Sequence, residues 1–371
     1  MTSAPMTASA TTGWTLPSFY CPIPPADPPV HPLAADLQRR ALDWVAASGI
    51  VRDQRELAWS AATHSTDFSC RLIPDGDPEL ILLFILWNHW AFALDDNWHD
   101  TGSAAIRTRE IVDINTRILR TLEIPGAALL DSREPLTRAL EDLAARTREA
   151  LTPVQLHRVT HGLRDWLWGA SWLVGTQERR ELPALSDYVA MRPSVNGTRF
   201  SLAWSELAAG VALPGELLYD PRVQALTEAA GFIVSCDNDF FSYPKEDSAE
   251  LLDPNIVNIL ARDRGCSPQE ALQEAAALRD RTMSLYVRLR EQVARTAAGE
   301  LARYLRVLDH YIAGCIHWMN NAPRYASPRN RHPLPVPGAS WHISWRDTPS
   351  DPDPGPPPVP AAAWWWRHLD T

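Results

Sequence analysis

Lysine is almost missing from this chain of 371 residues: Lys245 is the only one, and the rest of its 35 basic residues are arginine. With a net charge of −10, the chain lacks the cationic surface that neutralising a phosphate backbone requires, which excludes nucleic acid as a partner. Arginine suits bidentate phosphate contacts better than lysine does, so recognition of a small anion stays open. Cysteine is scarce as well. Cys21, Cys70, Cys236, Cys266 and Cys315 are odd in number, form no C-x-x-C pair, and read as reduced thiols of a cytoplasmic protein. No basic segment followed by an apolar run opens the sequence, so no signal peptide is expected. The longest apolar stretch, residues 80–94, is interrupted by Asn88 and His89 and is shorter than the about 20 residues of a membrane span, so no stable membrane insertion is expected. Neither G-x-S-x-G nor G-x-x-x-x-G-K occurs, which excludes a hydrolase nucleophile elbow and a P-loop.

Strand-type alternation is nearly absent too. Apolar residues instead recur at three- and four-residue spacing along 33–48, 78–100, 104–121, 134–150, 153–175, 186–209, 221–248, 267–297 and 299–320, which predicts helices. Ser267-Pro268-Gln269-Glu270 carries a capping serine, a first-turn proline and the glutamate of a capping box. Pro214-Gly215 and Asp253-Pro254 break helices. No linker or internal repeat interrupts the middle, so one all-α domain over 16–326 is expected. Residues 1–15, mostly Ala, Ser and Thr, read as a disordered N-terminus. Residues 327–371 are Pro-rich and read as a mobile tail with too little apolar area to order its backbone. Trp364-Trp365-Trp366 near its end reads as a bland hydrophobic terminus.

Two oxygen-rich clusters stand out from this pattern. Asn238, Ser242 and Glu246 recur at i, i+4 and i+8, so on a helix an amide, a hydroxyl and a carboxylate share one stripe. Such hard donors suit Mg²⁺, which commonly reaches substrate phosphates through a few protein ligands. Far upstream, Asp95, Asp96 and Asp100 gather carboxylates at the end of an apolar run. Carboxylates that close repel each other, and a divalent cation removes the repulsion.

Asp95-Asp96-xxx-Asp100 resembles the aspartate-rich motif of bacterial class I terpene synthases. Asn238-Asp239-xx-Ser242-xx-Lys245-Glu246 is similar to that family's second metal motif with its trailing lysine. Arg192 stands where the family carries its diphosphate-sensing arginine. Arg324-Tyr325 resembles its late Arg-Tyr pair, with Trp318 shortly before, and residues 16–22 resemble its N-terminal strap. The resemblance, over roughly residues 16–326, implies a single-domain helical bundle around a central apolar cavity. It implies three Mg²⁺ ions, with Mn²⁺ able to substitute, held by Asp95 and Asp96 with Asp100 in support on one wall, and by Asn238, Ser242 and Glu246 on the other. Arg192, Lys245, Arg324 and Tyr325 would bind the diphosphate of a small prenyl substrate. Phe92, one turn before Asp95, and Trp318 are wall candidates that would stabilise a carbocation, and with Arg192 they form the catalytic set. The expected activity is cyclisation of a linear prenyl diphosphate, farnesyl first, geranylgeranyl second and geranyl third, by a monomer or homodimer.

Two departures from the family pattern bear on the site. Three residues separate Asp96 from Asp100, where many members have two, which leaves two places open to the third carboxylate: in support of the metal, or turned outward to an arginine. Pro244 removes a helical N–H and crowds the carbonyl of Phe240, which predicts a kink that shifts Glu246. Val195, Asn196 and Gly197 offer more than one alignment for the helix break that follows Arg192 in the family.

Other classes compete. His99-Asp100 with His64 and His89 is the residue material of a metal-dependent phosphohydrolase, but that reading leaves Asn238, Ser242, Lys245 and Glu246 without a role. A chain-elongating prenyltransferase would carry two aspartate-rich motifs, and a non-enzymatic helical scaffold would bind no metal. Replacing His99 with alanine separates the first of these. A cyclase keeps most of its turnover, measured as diphosphate release from a prenyl diphosphate, whereas a phosphohydrolase loses its activity.

Overall fold

The computed structural model of the protein describes residues 13–23, 28–95, 107–124, 126–246, 253–326 and 340–370. Asp96 and Asp100 lie outside them, and of Lys245 and Glu246 only the backbone is described. Helices dominate: α1 (Ala34–Ser48), α2 (Gln54–Ala61), α3 (Ser65–Leu72), α4 (Pro78–Leu94), α5 (Thr108–Glu123), α6 (Pro135–Ala150), α7 (Pro153–Arg179), α8 (Leu185–Val195), α9 (Thr198–Ala208), α10 (Gly215–Leu218), α11 (Pro221–Glu246), α12 (Ile256–Arg264), α13 (Pro268–Ala294), α14 (Gly299–Asn321), α15 (Pro323–Ala326) and α16 (Pro360–Ala363). The strands among the described residues are one short parallel pair, β1 (Phe19–Tyr20) beside β2 (Trp345–Arg346). The all-α expectation is met. None of the described helices is long and apolar enough to cross a membrane.

Six of the described helices escape the periodicity reading because they are short, and three of these exceed a single turn. α2 and α3 have 8 residues each and α12 has 9, too few turns for a stripe to repeat. Capping residues mark two of them: Asp53 accepts from the Arg55 and Glu56 amides, both at 2.9 Å, and Asn255 from the Val257 amide at 2.9 Å. The helix expected over 186–209 is divided instead. Gly197, with φ +69°, sits between α8 and α9 in the left-handed region that a side chain disfavours. The Ser267–Glu270 capping box opens α13 as the sequence indicates.

The chain forms two compact units, Val30–Arg179 with Ser194–Gly210, and Met1–Pro29 with Arg180–Pro193 and Val211–Thr371. In the first unit α4 packs against α1, α3, α6 and α9, which accounts for its nearly unbroken apolar sequence. Its indoles are anchored by hydrogen bonds from Trp87 Nε1 to Thr147 Oγ1 and from Trp90 Nε1 to the Leu136 carbonyl, both 2.9 Å. α7 runs so close to the end of α8 that a Cβ on Gly169 would lie 2.4 Å from the Val195 nitrogen, so no larger residue fits there.

In the second unit α11 is packed by α13 and α14, and described segments near both ends of the chain, around residues 14–20 and 340–370, lie against these helices. Trp14 is buried, and the Thr15 carbonyl accepts from Gln269 Nε2 at 3.0 Å, so the ordered strap begins before residue 16. The C-terminal segment differs more from its composition. Trp341, Val359, Ala362, Trp365 and Trp366 are buried, and the Trp365 ring lies 5.7 Å from that of Phe232 on α11. Asp280 accepts from the Ser350 amide at 3.0 Å and hydroxyl at 2.7 Å, while Arg281 donates to the carbonyls of Gly355 at 2.7 Å and Pro356 at 3.0 Å. Residues 340–370 therefore do bury apolar area, because four widely spaced tryptophan and valine contacts outweigh the low average, and proline-fixed backbone loses little entropy on docking.

His89 gives this core a pH dependence. Its ring is buried on α4 against the Ser60 hydroxyl, 2.9 Å from Nδ1, and burial pushes its pKa down to about 4. The folded state thus resists a proton that the unfolded chain accepts near 6.5, so this contribution is complete above that pH and is lost as pH falls toward 4. Between those limits the wild type should lose about 3 kcal/mol more than His89→Gln, measured by urea denaturation across pH.

Candidate active site

Three consecutive residues of α11 carry polar groups into the second unit. Asp237 and Asp239 are buried, and Asn238 between them is half-buried. A carboxylate removed from water needs hydrogen-bond donors on both oxygens. Asp239 finds them all. Its Oδ1 accepts from Arg192 Nε at 2.9 Å and Nη2 at 2.6 Å, and its Oδ2 accepts from the Tyr188 hydroxyl at 2.6 Å and the Ile256 amide at 2.7 Å. Tyr188 and Arg192 reach one carboxylate because they are i, i+4 neighbours on α8. Burial, then the adjacent Asp239 charge, hold the Tyr188 hydroxyl well above its ordinary pKa, so it stays a donor.

Asn238 extends the network. Its Oδ1 accepts from Arg192 Nη2 at 2.8 Å, and its Nδ2 donates to the Tyr325 hydroxyl at 3.0 Å and to Met319 Sδ at 3.8 Å. The Tyr325 ring meets Trp318 edge to face, with centroids 5.2 Å apart. Four residues singled out in the sequence, Arg192, Asn238, Trp318 and Tyr325, are thereby joined in one cluster. Arg324 is buried on α15 beside Tyr325.

Ser242, one turn beyond Asn238, is different. It is 1% exposed, and its Oγ has no hydrogen-bond partner among the described residues. An unpaired buried hydroxyl costs roughly 1–3 kcal/mol, and most buried polar groups avoid that cost. α11 continues through Pro244 to Glu246, so the backbone keeps the four-residue register from Asn238 through Ser242 to Glu246. An amide oxygen, a bare hydroxyl and a carboxylate position in that register fit a hard divalent cation.

In the first unit Asp95 closes α4, where its amide bonds the Ala91 and Phe92 carbonyls, and Phe92 is half-buried one turn earlier. His64 precedes α3 and His89 is a core ring, so neither supports the phosphohydrolase alternative. Asp239 and Tyr188 are the residues that sequence reasoning passed over. Asp239 lay inside the quoted motif, but its role depends on partners distant in the chain.

A second buried ion pair flanks the cluster. Arg279 on α13 donates to Asp237 through Nε at 2.8 Å and Nη2 at 3.1 Å, and also bonds the Tyr20 carbonyl of the strap. Burial raises the Asp237 carboxyl above its usual range, and the Arg279 charge opposes that rise.

Comparison with known proteins defines the class first. A crystal structure of the SVS_A2 protein from ancestral sequence reconstruction matches with a TM-score of 0.82 and 35% identity over 95% of this chain and 99% of that one, and the fold is that of an all-α class I terpene synthase. Spiroviolene synthase of Streptomyces violens is 35% identical over 95% of this chain and 96% of its own length. The (+)-T-muurolol synthase ((2E,6E)-farnesyl diphosphate cyclizing) of Streptomyces clavuligerus is 30% identical over 94% and 81%. Residues 86–284 match the family model described as terpene synthase family 2, C-terminal metal binding. The chain belongs to that family and is a terpene synthase, a lyase acting on prenyl diphosphates.

Removing the Asp239 carboxylate strips Arg192, Tyr188 and the Ile256 amide of their common acceptor. Asp239→Ala should lose about 3–5 kcal/mol of stability, and Asp239→Asn less, read from urea denaturation midpoints.

Proposed function

We propose that the protein uses Mg²⁺ to ionise farnesyl diphosphate and cyclises the resulting carbocation to a sesquiterpene hydrocarbon or alcohol. The observation that carries the metal reading is the buried, unpartnered Ser242 hydroxyl, in helical register with Asn238 and Glu246. These three would hold metal on α11, and Asp95 and Asp96, with Asp100 in support, are the second donor set that the reading requires. Bound Mg²⁺, with Mn²⁺ able to substitute, supplies Lewis acidity that makes diphosphate a good leaving group.

The chain's own residues do the rest. Asp239 fixes the plane of the Arg192 guanidinium, so that its charge is presented to a diphosphate oxygen without a search for orientation. Lys245, Arg324 and the Tyr325 hydroxyl add charge-assisted donors. As the C1–O bond breaks, its electron pair leaves with diphosphate and an allylic cation remains. The rings of Trp318 and Phe92 stabilise positive charge through their faces and keep water from the cation. Attack by a chain double bond then closes a ring, and loss of a proton or capture of water ends the reaction.

Farnesyl diphosphate is favoured because it is the substrate named for the Streptomyces clavuligerus relative. Incubation with farnesyl, geranylgeranyl or geranyl diphosphate and Mg²⁺, followed by gas chromatography, should give a cyclic C15 product from the first. A cyclic product from geranylgeranyl diphosphate alone overturns the chain length, and none from any of the three overturns the cyclase reading. Asn238→Ala and Ser242→Ala should each lower turnover about 100-fold or more with unchanged helical circular dichroism, and chelation of the metal should stop product formation.

A further inference from the structure

Pro244 interrupts the hydrogen-bond ladder of α11 between Asn238 and Glu246. Proline has no N–H, so the carbonyl four residues earlier, that of Phe240, loses its helical donor. Phe240 is fully buried, where an unpaired carbonyl is costly and water cannot replace the donor. The missing bond is made from outside the helix: Trp14 Nε1 donates to the Phe240 carbonyl at 3.0 Å. Indole nitrogen is a donor only, which matches an orphaned acceptor. The same ring stacks on Tyr243, with centroids 4.2 Å apart and planes 16° apart, and the Tyr243 hydroxyl donates to Asn258 on α12 at 3.2 Å. Next to the indole, the Thr15 carbonyl is held by Gln269 of α13. A few residues on, Phe19 stacks on Phe241 at 5.6 Å.

We infer that Trp14 is a positioning residue for the metal-binding turn, its indole N–H standing in for the backbone donor that Pro244 lacks. The inference rests on the metal reading above. It makes the N-terminal strap part of the site: the helical register from Asn238 through Ser242 to Glu246 depends on a side chain more than 200 positions away, at a sequence separation of 226.

The test is a rescue. Trp14→Phe keeps a ring on Tyr243 and removes the donor, and Pro244→Ala restores the helical N–H. In a thermal-shift titration with Mg²⁺ and inorganic diphosphate, W14F should need about tenfold more Mg²⁺ for half of the full stabilisation, the effect of one buried hydrogen bond. Amides in the last turn of α11 should also exchange with deuterium faster. P244A alone should stay close to wild type, and W14F/P244A should return both readings to the wild-type range. A double variant as impaired as W14F, or a W14F protein indistinguishable from wild type, overturns the inference. A wild type that shows no Mg²⁺ response overturns the metal reading instead, and the exchange rates alone then decide whether the indole holds the turn.

Discussion

Burying the Asp239 carboxylate is expensive unless each of its oxygens meets donors, and the donors it meets come from two other helices. Arg192 and Tyr188 arrive on α8, Ile256 opens α12, and Asp239 itself lies on α11. None of these elements can shift without exposing an unpaired charge in a low-dielectric setting, a penalty larger than most single packing contacts supply. Arg192, the arginine proposed to meet diphosphate, is therefore held by a carboxylate next to Asn238, the first residue of the proposed metal stripe. The same guanidinium donates to Asn238 Oδ1, so the residue proposed to meet diphosphate and the residue proposed to meet metal share one hydrogen bond.

A comparable logic holds the two chain ends. Arg279 and Asp280, adjacent on α13, bond the Tyr20 carbonyl and the Ser350 amide and hydroxyl respectively. Phe19 and Tyr20 pair in register with Trp345 and Arg346. Trp341 donates to the Tyr325 carbonyl at 3.1 Å and meets Phe241 edge to face. Segments from both ends thus cover the helix that carries Asn238 and Ser242.

The parts of the site that were legible in sequence are those with a local period. Asn238, Ser242 and Glu246 could be aligned because four-residue spacing on a helix is a stripe wherever the helix lies. Arg192, Trp318, Arg324 and Tyr325 were placed by their order and spacing relative to a known family. The short helices α2, α3 and α12 were not legible, since stability there comes from caps and neighbours rather than from a repeating face. The docking of residues 340–370 is not legible for a related reason: average composition hides a few tryptophans whose large buried area is decisive.

By itself the sequence determined the helical class, the order of the chemical groups, and the donor types suited to a hard cation, because these follow from residue identity and a 3.6-residue repeat. Only the tertiary structure decided that Asp239 would hold Arg192, that Ser242 would be left without a partner, and that Trp14 would supply the bond Pro244 cannot make. Those are pairings of buried polar groups across long stretches of chain, and the need to satisfy a donor or acceptor says nothing about which distant residue will do so until packing brings one within 3 Å.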